Sequence, residues 1–112
     1  MKRVLPNVSR QFHQLPMFMT AKELRNKVVP GDWRPGQSER ALWNRKLRES
    51  RVADSGGDGK SLEESIREEG IREPVELYQR PGVSVPSLIN GHHRVAVAHA
   101  VNPQYLVPVS HS

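Results

Sequence analysis

Proline and glycine occupy 17 of the 112 positions, and they set the limits within which regular structure can form. Proline removes a backbone donor and clashes with the preceding helical turn, while glycine supplies the turns and helix ends that other residues resist. The chain must therefore be built from short elements joined by turns. Its core should be modest, because only 36% of residues are apolar and 5% aromatic. A single domain is expected at this length.

Residues 1–19 carry no sustained period, and Pro6 and Pro16 interrupt any helix, so they read as an arm. Thr20 with Glu23 three positions on forms a capping-box pattern, and Leu24 and Val28 share one face of a short helix that stops before Pro30. Pro30, Gly31, Pro35 and Gly36 then enclose a turn. Ser38 opens a second helix with Leu42, Trp43 and Leu47 on its apolar edge and Arg40, Arg45, Lys46, Arg48 and Arg51 over much of the rest. Together residues 20–53 read as a basic helical extension.

The glycine-rich run at 54–60 reads as a flexible loop. Gly59, Lys60 and Ser61 imitate the end of a Walker A loop, but its first glycine is misplaced and no apolar strand precedes it. Residues 61–112 hold the expected core of the domain. Ser61 and Glu64 form a second capping box, Leu62 and Ile66 a buried stripe, and Gly70 a left-handed helix end. Alternation over Val75, Glu76, Leu77 and Tyr78 predicts a strand, and Val83, Val85, Leu88 and Ile89 predict another that Pro86 places at an edge, at a bulge or in a late start. A helix of small residues from His92 and a last strand over residues 105–109 complete the order helix, strand, strand, helix, strand. The fold class is α+β, a short mixed sheet packed with helices.

Cysteine is absent, which excludes disulfides, thiolate metal sites and thiol nucleophiles. No apolar run approaches the roughly 18 to 20 residues that span a bilayer, and no signal-peptide core follows the basic N-terminus. A cytoplasmic protein without a membrane partner is expected. Charge is divided unequally: residues 1–53 carry 12 Lys/Arg against 4 Asp/Glu, and residues 54–112 carry 5 against 8. The basic half suits either a solvated surface or a polyanion, and Arg40, Arg45, Lys46 and Arg48 are the nucleic-acid contact candidates.

A strand ending in Asn90-Gly91 and turning directly into a helix gathers free backbone N–H groups at the positive end of a helix dipole. Gly91, His92, His93 and Arg94 are accordingly the phosphate-binding candidates. Arg94 has the planar fork that matches phosphate. His92 and His93 titrate near neutral pH and are the catalytic candidates, although adjacent helical residues point to different sides. His92, His93 and His99 invite a metal reading, but the adjacent pair lacks the i, i+4 spacing that places two imidazoles on one helical face. A metal bridge between phosphate and Glu64, Glu68, Glu73 and Glu76 is the alternative way to hold a cation here.

Gly70-Ile71-Arg72-Glu73-Pro74-Val75 followed by Leu88-Ile89-Asn90-Gly91-His92-His93-Arg94-Val95-Ala96-Val97-Ala98 resembles the two boxes of ParB/sulfiredoxin-like domains. The resemblance covers about half of the chain. It implies that the first box leads a helix into a strand and the second forms a Gly-x-x-Arg turn around nucleotide or nucleic-acid phosphates. Sulfiredoxins use a cysteine in that turn, where this chain has His92, so sulfinic-acid reduction of that kind is excluded. Chromosome-partitioning relatives place a helix-turn-helix region after this module, and centromere binding of their type is not expected here. Thr20-Ala21-Lys22-Glu23-Leu24 and Ala41-Leu42-Trp43-Asn44-Arg45-Lys46-Leu47 add a similarity to small ParB-like, nuclease-like proteins of actinobacterial phages.

Three readings follow. The first is a binding protein for DNA, RNA or a nucleotide. The second is a nuclease or nucleotide hydrolase using Mg²⁺, and the third is a phage protein that engages a host protein. A nucleoside triphosphate is a candidate ligand beside Mg²⁺, and a dimer is compatible with all three.

Overall fold

The computed structural model describes residues 17–52 and 59–112. Most of the expected arm and the glycine-rich loop lie outside the described residues. Three helices start on hydroxyl side chains. Thr20 caps α1 (Ala21–Asn26), Ser38 caps α2 (Glu39–Ser50) and Ser61 caps α3 (Leu62–Glu69). In α1 and α3 the cap is reciprocal, since Glu23 and Glu64 return a carboxylate oxygen to the backbone N–H of Thr20 and Ser61 at 2.9 Å in each case. The fourth helix, α4 (His92–Val101), follows Gly91.

Five strands form one mixed sheet in the order β1-β5-β3-β4-β2. They are β1 (Phe18–Thr20), β2 (Val29–Pro30), β3 (Val75–Tyr78), β4 (Ser87–Asn90) and β5 (Leu106–His111). β3 is central, parallel to β5 and antiparallel to β4. The expected order from α3 to β5 is present. β4 begins after Pro86, leaving Val83 and Val85 exposed in the preceding turn. This is the late start that a missing backbone donor imposes.

Alternation along the strands turns Val75, Leu77, Leu88, Val107 and Val109 to one face, where all five are buried. α4 packs over this face. Its Val95, Ala96, Val97 and Ala98 are buried on several sides, because α1, α2 and α3 surround it. Among the described residues no helix is long and apolar enough to cross a membrane.

Residues expected to form an extension belong to this same core. Leu24 and Leu42 are fully buried, Trp43 is 3% exposed, and β1 and β2 supply both outer strands. Strands of three and two residues are too short to show a period, and only pairing with β5 and β4 makes these segments extended. Two local expectations also change. Leu62 is exposed at the rim of a depression and leaves the contact to Ile66, since it is the first residue of α3 and lies beyond the turn that packs. Gly70 ends α3 with φ 81° and ψ −178°, so the chain leaves extended toward β3 instead of in a left-handed helical turn.

If residues 20–50 share one cooperative core with the sheet, truncating either part must unfold both. Leu24→Ala and Leu77→Ala should each lower stability by about 2–5 kcal/mol in a single urea transition. A separate transition for Leu24→Ala, or a loss below about 1 kcal/mol, would contradict this packing.

Candidate anion site at the start of the fourth helix

The turn from β4 into α4 rests on one glycine. Gly91 has φ 105°, and a Cβ placed on it would lie 2.6 Å from Val75 Cγ1 and 3.2 Å from Val75 Cα. No side chain fits there, and the backbone conformation disfavours one in any case. The two boxes that are separate in the sequence therefore meet at Val75 and Gly91.

α4 differs from the other three helices at its start. It has no side-chain cap and no acidic residue in its first turn. Val95 N–H bonds to Gly91 O at 3.0 Å. The N–H groups of His92, His93 and Arg94 have no partner among the described residues. These are the donors that the end of a helix leaves open, and the helix dipole adds to their attraction for an anion.

The side chains of the turn are already engaged. Arg94 Nη1 donates to the carbonyls of Glu73 at 2.7 Å and Pro74 at 3.0 Å, while Nη2 faces Asn90 Oδ1 at 3.4 Å. Part of the fork expected to hold phosphate thus clamps α4 to the chain entering β3. His92 is 5% exposed and packs 6.1 Å from the Trp43 ring. Its Nε2 accepts from Asp32 N–H at 3.3 Å, which leaves the proton on Nδ1, 3.8 Å from Asp32 Oδ2. His93 is half-exposed, with Nε2 2.7 Å from Glu49 Oε1. His92 is therefore a core histidine, and His93 is the one that solvent reaches.

The cations proposed for nucleic-acid contact divide into different environments. Lys46 is buried and donates to Asp32 Oδ2 at 2.5 Å, so it is withdrawn from any direct contact. Arg45 is half-buried, and its Nε is buried without a partner. Arg40 and Arg48 lie exposed two turns apart on the outer face of α2 and have no ion pair among the described residues.

Asp32 and Glu49 were not among the sequence candidates, yet they organise this end of the molecule. Asp32 is held below the usual carboxylate range by its hydrogen bond from Lys46, with His92 adding to the effect. Glu49 is lowered by its contact with His93. Burial lowers His92 against the raising influence of Asp32. The turn residues around Asp32 were legible, but its partner lies 60 positions away at His92.

Three of the four carboxylates considered as metal ligands are engaged by protein groups. Glu64 caps α3, Glu68 is paired with Lys60, and Glu76 faces Ser112 Oγ. Among the described residues no three His, Asp or Glu side chains converge as ligands for a metal ion. Comparison of the chain with protein-family models, curated proteins and solved structures gives no match.

His92 and His99 are both depressed below the ordinary value of 6.5. Each favours the folded state while neutral, and that contribution is full above about pH 6.5 and lost as pH falls toward the folded values. The urea midpoint should thus drop between about pH 7.5 and pH 5.5, and His92→Asn should make that drop shallower. An unchanged slope in the variant would show that His92 does not carry it.

Removing one partner of the Asp32–Lys46 pair should strand the other. Asp32→Asn leaves a buried ammonium and should cost about 1–2 kcal/mol, a figure reduced for the exposure of Asp32. Asp32→Asn with Lys46→Met should recover part of it. A double-mutant cycle with no coupling would rule out the pair as a structural element.

Proposed function

We propose that this chain is a phosphate-recognising nucleic-acid or nucleotide-binding protein of ParB-like type, with its anion site at the first turn of α4. The observation that carries this reading is the uncapped start of α4, held against β3 by a glycine that cannot be replaced without collision. A phosphate seated on the N–H groups of His92, His93 and Arg94 would receive what Thr20, Ser38 and Ser61 provide to the other helices. Arg94 keeps donors beyond those spent on Glu73 and Pro74. Lys46 neutralises Asp32 nearby, which lowers the repulsion an anion would meet.

Arg40 and Arg48 extend the contact along α2. Cations without carboxylate partners are free to displace counterions from a polyanion, and this term makes binding salt-dependent. A nucleic acid therefore fits the surface better than a free nucleotide alone.

The test is a titration with labelled duplex DNA, single-stranded DNA and a nucleoside triphosphate across a salt series. Arg94→Ala should weaken every ligand by about tenfold or more, and Arg40→Gln with Arg48→Gln should lower the salt slope for DNA by about 2. Binding that neither variant alters would defeat this assignment.

One observation favours a second reading, hydrolysis of a phosphodiester. His93 is reachable and its Nε2 is held by Glu49, an arrangement that orients an imidazole for proton transfer. Cleavage in the presence of Mg²⁺ that disappears in His93→Ala, with DNA binding retained, would establish it.

A further inference from the structure

Arg25 is a half-buried guanidinium with no carboxylate in contact among the described residues. It leaves α1 and donates through Nη1 to His99 Nδ1 at 2.9 Å, and its guanidinium lies 5.5 Å from the centroid of the Trp43 ring. His99 can accept there only with Nδ1 unprotonated, so the partner is neutral. Burial disfavours the charged form of Arg25, and the one raising influence is the more distant charge of Glu39. A guanidinium stays charged and offers five donors, so this setting leaves the charge without a carboxylate in contact and N–H groups beyond the one given to His99 without an acceptor among the described residues.

Arg25 lines a surface depression of about 390 Å³ together with Asn26, Glu39, Arg40 and Trp43. Arg40 is exposed and has no ion pair among the described residues. Trp43 is 97% buried by its 3% exposure, and its indole Nε1 is a buried donor without an acceptor. Arg25 and Arg40 thus reach one concavity from two helices, Arg25 with N–H groups beyond the one spent on His99, and Trp43 forms part of the wall. His99 and Trp43 already immobilise Arg25, so a ligand would find one arm of the site in place and would not have to order it.

We propose that the depression between α1 and α2 is a second phosphate seat, separate from the turn at Gly91, in which Arg25 and Arg40 clasp the oxygens and the Asn26 amide donates beside them. Donors arriving from two helices suit the tetrahedral oxygens of a phosphate better than the single plane of a carboxylate. The volume also admits the sugar of a phosphate ester. Glu39 stands at the same depression and competes for Arg25, so inorganic phosphate alone binds weakly and an ester that adds contacts binds better.

The test uses the isotope-labelled full chain and follows the Arg25 Nε–H, Asn26 side-chain amide and Gly91 backbone signals by NMR. Inorganic phosphate, a nucleoside monophosphate and a short single-stranded oligonucleotide are added in turn at constant ionic strength. Saturable shifts at Arg25 and Asn26 are expected, with a midpoint on the order of millimolar for phosphate. Arg40→Gln, at an exposed position, should weaken them about fivefold or more, Glu39→Gln should tighten them about threefold or more, and Arg94→Ala should leave them in place.

A tighter midpoint for the oligonucleotide than for the monophosphate assigns the seat to a nucleic-acid strand, and the reverse assigns it to a free nucleotide. Either supports the seat. Shifts confined to Gly91, or shifts at Arg25 that Arg94→Ala removes, overturn it while leaving the turn as the anion site. Shifts at Arg25 without any at Gly91 keep this seat and defeat the turn. No saturable shift at Arg25 with any of the three ligands also overturns it.

Discussion

A backbone-to-side-chain approach between Gly91 and Val75 governs how this molecule is assembled. The chain leaving β4 must turn into α4 directly over β3, and any Cβ at the turn would occupy the space of Val75. Once α4 is seated there, its small residues let α1, α2 and α3 gather around it, and Val95, Ala96, Val97 and Ala98 lose contact with solvent. Arg94 strengthens the arrangement by bonding the carbonyls of Glu73 and Pro74. The same contact that completes the core therefore holds the open N–H groups of α4 in one place, which is the preorganisation an anion site requires.

Electrostatics divide the basic half of the chain by burial. Lys46 is drawn into the protein by Asp32, and the pair leaves little net charge where α2 meets the start of α4. Arg25 is drawn in by Trp43 and by a neutral His99, which leaves its charge without a carboxylate in contact among the described residues. Arg40 and Arg48 stay outside. An excess of cations counted along the sequence thus becomes three different kinds of group, and the second and third have no ion pair among the described residues.

Local features were legible where the physical cause is local. Capping boxes at Thr20 and Ser61 join residues three apart, and both form as the spacing implies. The order from α3 to β5 follows from periodicity and from Pro and Gly placement. The Gly91 turn was visible because a strand running into a helix through glycine has few alternatives. β1 and β2 were not visible, since strands of three and two residues take their extended form from their neighbours in the sheet.

The sequence by itself determined the α+β class, three side-chain-capped helix starts and the glycine turn, because these depend on residues within one or two turns of each other. Only the tertiary structure decided that residues 20–50 complete the core, that His92 is buried, and that Lys46 belongs to Asp32. It also joined His93 to Glu49 across 44 positions and Arg25 to His99 across 74. The physical reason is that such contacts cost loop-closure entropy and form only when the packed core has already brought the elements together. Composition carries no record of which distant charges will meet.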